Sequence, residues 1–239
     1  MIRQINGYVD LRHVPPLNTR LSADALDALG AVARTVYLNP HDILLGQCET
    51  IRAFYVIVEG GVRLVECTPD GQSVALKIYG PGDVFGLLAV SGSYPHPTQI
   101  ESIHDSVLVA FDGQDARRLM SIYPEVALLV IDLLTEHVHH AHQRIRQMAA
   151  EKVDRRLART LLHLCDKFGR DDGQIISIDA PLSQRDLAEF TGTTVETINR
   201  TLTAWEKRGV VRCSHRHIDV LDRAALVGIA ENALSAARI

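Results

Sequence analysis

The chain has 239 residues, of which 46% are hydrophobic, 23% charged and only 5% aromatic, and its formal net charge is −4. That length suits two domains of ordinary size with aliphatic cores, and the composition excludes disordered and fibrous classes. A net negative charge excludes a protein that coats nucleic acid over its whole surface, so any contact with DNA must be local.

Residues Met1 to Asp10 hold one Arg and no apolar run, which predicts neither a secretory signal nor a membrane anchor. The most apolar stretch, Val126 to Leu134, contains Asp132 and is far shorter than the roughly 20 residues a bilayer span needs. A cytoplasmic protein with no membrane partner is expected. Cys48, Cys67, Cys165 and Cys213 lie far apart and form no CxxC pair, so the spacing offers no local zinc or iron–sulfur site. In that compartment they are expected to stay reduced.

The first predicted element is a helix around Ser22 to Arg34, with Ser22 as its N-cap. Strand-like runs follow at Thr35–Leu38, Phe54–Val58, Val62–Glu66, Ser73–Ile78, Thr98–Ile103 and Val107–Phe111. Turn chemistry separates them, notably at Thr68-Pro69-Asp70-Gly71 and Gly80-Pro81-Gly82-Asp83. Short strands so spaced predict a sandwich or roll over residues 1–122.

From Ser121 the period changes. Apolar residues recur at Ala127, Ile131, Leu134, Val138, Ala141, Ile145 and Met148, alternating steps of four and three. This is a heptad seam with Ile131, Val138 and Ile145 at a, and Ala127, Leu134, Ala141 and Met148 at d, the pattern of a parallel two-stranded coil. It predicts a homodimer through a helix over 123–150. Leu128, Val130 and Leu133 widen the stripe, which leaves open a helix packed on its own domain; both hold at once if one face lies on the roll and the other on a twin.

A further helix is expected over Val153–Phe168, closed by Gly169 and the polar turn Arg170–Gly173, with a domain boundary near Ala149–Asp154 and a last domain over 151–239. Within it, Leu182 to Val211 fits helix, tight turn and helix. Ser183 with Asp186 makes a capping pair, Gly192 supplies the turn's positive φ, and Thr193 or Thr194 caps the second helix. Leu187, Ala188, Ile198 and Leu202 would pack between the two. The second helix then presents Val195, Glu196, Asn199 and Arg200 as base-reading residues, while Ser183, Gln184, Arg185 and Thr194 are placed to meet phosphates of double-stranded DNA. The competing reading makes Glu196 and Arg200 a solvated i, i+4 ion pair. Val210–Ser214 and Arg216–Val220 read as a β-hairpin wing.

These features resemble the Crp/Fnr transcription regulators along nearly the whole chain. The markers are FYVIVEGGVRL from Phe54 to Leu64, GPGDVFG from Gly80 to Gly86, and Val195-Glu196-Thr197-Ile198-Asn199-Arg200, similar to the Val-Glu-x-x-Ser-Arg of the Fnr branch with Asn199 in place of its Ser. The resemblance implies an α+β chain: a cyclic-nucleotide-binding-type β-roll (jelly roll), a long dimerisation helix and a winged helix-turn-helix. It also implies TTGA-type half-sites and RNA polymerase as a partner.

Cyclic-AMP-binding members carry a Glu after the loop glycine and an Arg-Ser or Arg-Thr pair for the phosphate. Here Leu87 follows Gly86 and Pro97 precedes Thr98, so an effector pocket over Gly86, Leu87, Pro97 and Thr98 is expected to be apolar and not to take cyclic AMP. The cysteine cluster of oxygen-sensing Fnr proteins is absent, which argues against an iron–sulfur cofactor. His13, His41, His96 and His104 leave haem or a nitric-oxide response open. His137 and His142 fall at g and e, facing each other across a parallel dimer, where a metal or pH switch competes with a solvated polar face. A cupin-type enzyme would need a His-x-His pair on inner strands, which the roll lacks, so no catalytic residue is assigned. A non-DNA regulatory β-roll module is the other competing class.

Overall fold

The computed structural model describes residues 4–5, 8–67, 73–92, 94–178, 183–214 and 217–231. The turn expected at Thr68 to Gly71, the start of the helix-turn-helix segment at Leu182 and the wing residue Arg216 lie outside these. By contacts the chain divides into two units, residues 1–73 with 77–140, and 74–76 with 141–239.

The first unit opens with a short hairpin, β1 (Gln4–Ile5) and β2 (Tyr8–Val9), then α1 (Leu17–Arg20) and α2 (Ala23–Val32). Ser22 caps α2, its hydroxyl accepting from Ala25 N–H at 3.3 Å. The strands are β3 (Arg34–Leu38), β4 (Ile43–Leu45), β5 (Thr50–Ile51), β6 (Ala53–Glu59), β7 (Val62–Cys67), β8 (Ser73–Tyr79), β9 (Val84–Phe85), β10 (Tyr94–Pro95), β11 (Gln99–Ser102) and β12 (Ser106–Asp112), with α3 (Leu88–Ser91) after β9. Eight of them form two four-stranded sheets, β4-β11-β7-β8 and β3-β12-β6-β9, and β5 pairs with β10 in a two-stranded one. The expected strands are all present. Six shorter ones, β1, β2, β4, β5, β9 and β10, were not expected, because two or three residues carry no readable alternation. At Gly80 to Asp83 the expected turn forms, Asp83 N–H donating to Gly80 O at 3.0 Å.

Period-2 alternation puts Phe54 and Val56 of β6 and Val109 and Phe111 of β12 inside, with Phe54 and Phe111 stacked at 4.9 Å between centroids. Leu17, Leu26, Leu29 and Leu119 close over them from the helices. Leu119 belongs to α4 (Gly113–Ile122), a helix the sequence reading missed; its cap is Asp112, the last residue of β12, which accepts from Gln114 and Asp115 N–H.

The long helix α5 (Pro124–Ala150) is continuous. Val126, Leu129 and Val130 are buried, and Leu133 packs against the roll core, whereas Ile131, Leu134, Val138, Ile145 and Met148 are 57, 42, 52, 66 and 46% exposed. The two apolar faces are therefore separate, but Leu128, read with Val130 and Leu133 as widening the stripe, is 61% exposed and does not pack on the roll. One is spent on the chain's own roll and the other, holding Ala127 and Ala141 as well, is open. The division between units falls inside α5, between His140 and Ala141, ahead of the boundary expected near residue 150.

The second unit holds the end of α5, then α6 (Val153–Phe168), β13 (Gly169–Asp171), β14 (Ile176–Ile178), α7 (Gln184–Thr191), α8 (Val195–Lys207), β15 (Val211–Ser214), β16 (His217–Val220) and α9 (Arg223–Glu231). The expected polar turn Arg170–Gly173 is instead part of a hairpin, β13 with β14, in the sheet β13-β14-β16-β15. All three β13 residues are exposed, so no inward face marked it as a strand. Leu157, Leu161 and Leu164 of α6 lie one or two turns apart and are buried together with Leu226 of α9, and α7 packs against α6 as well.

Candidate nucleic-acid interface

The helix pair is defined by its ends. Asp186 Oδ2 accepts from Ser183 N–H at 2.7 Å while Ser183 Oγ accepts from Asp186 N–H at 3.2 Å, a reciprocal capping box that starts α7. Gly192 ends it at φ 60°, ψ 52°, a left-handed conformation that costs a residue with a Cβ more than it costs glycine. Thr194 then caps α8, accepting from Thr197 N–H at 3.3 Å. Leu187, Ala188, Ile198 and Leu202 are all buried between the helices, with Trp205 beneath the second.

With Ile198, Leu202 and Trp205 turned inward, α8 exposes Val195, Glu196, Asn199 and Arg200 to solvent on its other side. Val195 is 41% exposed. No ion pair joins Glu196 to Arg200 among the described residues, so the solvated i, i+4 reading does not hold. Both side chains are available to acceptors and donors on base edges. Gln184 Nε2 donates to Asn199 Oδ1 at 3.2 Å, which aims the Asn199 amide and ties the start of α7 to the exposed face of α8.

All four residues placed to meet phosphates have engaged side chains, Gln184 through Asn199. The Ser183 and Thr194 hydroxyls serve as caps, leaving backbone N–H groups of the first turns to face an anion. Arg185 pairs with Glu189 at 3.0 Å but is 64% exposed, so the pair costs little to exchange for a phosphate.

The wing, β15 against β16, is held by a residue that sequence reading missed. Asp219 accepts from Ser177 Oγ of β14 at 2.7 Å and from Arg212 of β15 at 2.6 and 3.0 Å, and is 8% exposed. The Ser177 hydrogen bond, and then Arg212, hold its carboxyl below the usual carboxylate value. Ser177 and Arg212 are remote from Asp219 in sequence or lie across a hairpin, so only the strand register reveals the cluster.

In the sensor unit Gly86 has φ +80°, and a Cβ there would sit 2.9 Å from Ala53 O. Leu87 packs on the roll core and Pro97 is exposed, while buried Thr98 shares Nδ1 of buried His96, whose ring also lies 2.8 Å from Thr98 O. Neither the position after Gly86 nor that before Thr98 offers a charged group, so these residues do not fit the ribose and phosphate of a cyclic nucleotide. A cleft of about 430 Å³ in the same unit has other walls, polar ones: Arg52, Asp112, Gln114 and Arg117 with Val90. His41 pairs with Glu101 at 3.0 Å, and His137, His139, His140 and His142 are exposed on α5. Among the described residues no three His, Cys, Asp or Glu gather as a metal site, and no helix is long and apolar enough to cross a membrane.

Residues 155–229 match the Crp-like helix-turn-helix domain and residues 35–123 the cyclic nucleotide-binding domain. The chain is 30% identical over 190 residues to the transcriptional regulator LdrP of Thermus thermophilus, covering 79% of this chain and 93% of that one. It is 26% identical over 172 residues to the CRP-like cAMP-activated global transcriptional regulator of Mycobacterium tuberculosis, covering 72% of this chain and 77% of the relative. The solved structure of FixK2 from Bradyrhizobium japonicum superposes with a TM-score of 0.73 at 25% identity, over 83% of this chain and 97% of that one.

Proposed function

Because this chain belongs to the Crp/Fnr family of DNA-binding transcription regulators, which are not enzymes, we propose that it acts as a homodimer on inverted TTGA-type half-sites under an effector other than cyclic AMP. The observation that carries the reading is α8, capped, packed on its inner side and unpaired at Glu196 and Arg200 on its outer side.

The chemistry follows from the side chains. Arg200 forks onto guanine O6 and N7, Glu196 accepts from cytosine N4, and Val195 offers a methyl contact that suits thymine. Asn199, aimed by Gln184, meets the neighbouring base pair. Phosphates take the first-turn N–H groups that the caps at Ser183 and Thr194 do not use, together with the side chains of Gln184 and Arg185. The open seam of α5 joins two copies and so brings two reading helices to one duplex, about one turn apart. Family membership supports RNA polymerase as the partner through which binding acts on transcription. The relative from M. tuberculosis is cAMP-activated by name, but packed Leu87 and exposed Pro97 here offer no ribose or phosphate ligand, which favours a different signal.

Fluorescence anisotropy on a palindromic TTGA duplex tests the reading through Arg200→Ala. Loss of one bidentate pair is worth about 1–3 kcal/mol, so specific affinity should fall roughly ten- to a hundredfold while weak, salt-sensitive binding survives. Equal affinity of both proteins for this duplex would refute the assignment of α8.

A further inference from the structure

The last turns of α5 do more than extend the seam. Helix α7 ends at Thr191; the N–H groups of Gly192 and Thr193 take up Ala188 O and Glu189 O, which leaves the carbonyls of Phe190 and Thr191 without a partner inside the helix. Two arginines from outside reach them. Arg144 of α5 donates from Nη2 to Phe190 O at 2.9 Å, and Arg156 of α6 donates from Nε to Thr191 O at 2.7 Å and from Nη2 to Gly192 O at 3.4 Å. Arg156 also donates from Nη1 to Glu151 O at 2.5 Å, so one guanidinium joins the α5–α6 junction to the turn between the reading helices. Met148, the last d residue of the seam, lies over the same turn: a Cβ on Gly192 would collide with its Cε and stand 3.1 Å from its Sδ.

We propose that Arg144, Met148 and Arg156 are positioning residues for DNA reading, a clamp that fixes the helix-turn-helix to the end of the seam helix and thereby sets the spacing at which the dimer's two reading helices meet DNA. This rests on the dimer reading above. None of the three touches a base. Their geometry suits the task because a planar guanidinium holds two or three carbonyl directions at once, where an ammonium is a single point charge. Two cations at the C-terminal end of α7 also complement its dipole. Arg144 is at heptad position g and Met148 at d, so a rotation of α5 in the seam is carried directly to the turn that orients α8. Burial lowers the pKa of Arg144 from its ordinary value, but a guanidinium stays protonated in proteins and keeps its donors.

A clamp of this kind acts on the second half-site and not the first, because once one half is bound the other binds at an effective concentration that a loose joint dilutes. The test compares the full chain with the Arg144→Ala/Arg156→Ala variant on a duplex with one half-site and on palindromes whose centre is lengthened or shortened by one or two base pairs. Sedimentation and thermal melting confirm the dimer and the fold. The variant is expected to bind one half-site within about threefold of wild type, to lose about tenfold or more on the best palindrome, and to discriminate less among spacings. Arg156→Lys should fall between the two. Should the double variant melt, Arg144→Ala alone, which gives up one hydrogen bond, is read on the same duplexes. Unchanged spacing preference would overturn the proposal, as would an equal loss on one half-site and two, the signature of a merely destabilised α7. A wild type that gains nothing from a second half-site would refute the dimer reading, and this assignment with it.

Discussion

Replacing Ile131 and Val138 by Asp should dissolve the dimer without unfolding the chain, and the structure sets the size of the effect. Complete burial of an Ile, Leu, Val or Met side chain is worth about 1.5–3 kcal/mol. The five large seam residues are 42 to 66% exposed, so each has about 1 kcal/mol still to gain, or about 10 kcal/mol for the ten in a dimer. That is comparable with the roughly 4–15 kcal/mol lost in association entropy, so the seam has little to spare. The double substitution removes four of the ten contributions, about 4 kcal/mol, and asks four carboxylates to desolvate at several kcal/mol more. Dimerisation should weaken by about a thousandfold or more. Within one chain the same side chains face water on a helix, where Asp costs a few tenths of a kcal/mol in propensity. Sedimentation equilibrium should therefore show a monomer, while the thermal midpoint of dilute protein moves by only a few degrees. A full-strength dimer would refute the seam, and a collapse of the fold alongside the mass would place these residues inside the chain's own core.

Asp219→Ala should strand Ser177 and Arg212 and destabilise the wing sheet by about 1–3 kcal/mol, visible as a lower melting midpoint. Its carboxyl is held below the ordinary 3.8, so the stability it contributes is present above that pH and lost as pH falls through the depressed folded value. Acid melts of wild type should steepen there, and those of the variant less. His137 lies on the exposed side of α5, but partial desolvation of its ring, and then Lys77 and His140, lower it from 6.5, so the folded state prefers the neutral ring. That contribution is complete above about pH 6.5 and is lost as pH falls through the lowered value, so stability should drop as pH falls below 6.5 and do so less in His137→Gln. Calorimetry with cyclic AMP should show no micromolar binding; saturable binding with a matching gain in DNA affinity would overturn the reading of Leu87 and Pro97.

The parts legible in the sequence are those governed by short-range rules. The capping box at Ser183 and Asp186, the left-handed turn at Gly192 and the inward Leu187, Ala188, Ile198 and Leu202 each follow from spacing within one or two helical turns, and the structure places all of them as read. The two faces of α5, Leu128 apart, were legible for the same reason. What escaped is set by partners distant in sequence. Strands β4, β5, β9 and β10 are too short to alternate, and β13 is exposed on every residue. Arg144 and Arg156 serve carbonyls 46 and 35 residues away, and a carbonyl carries no residue identity to read. Asp219 gathers partners through strand register, which no local pattern announces. The start of α4 was within reach, since Asp112 ends a strand and caps the next helix, but Gly113 directly after it reads as a break.

The most direct test is selection of binding sites from randomised duplex DNA by the purified full chain. The expected product is an inverted repeat with TTGA in each half at one fixed spacing, and Val195→Arg, which gives that position a guanidinium able to donate to guanine, should shift the selected half-site toward TGTGA. Selection of no sequence, of an unpaired half-site alone, or of the same repeat by wild type and Val195→Arg would contradict a dimer that reads DNA through the exposed face of α8.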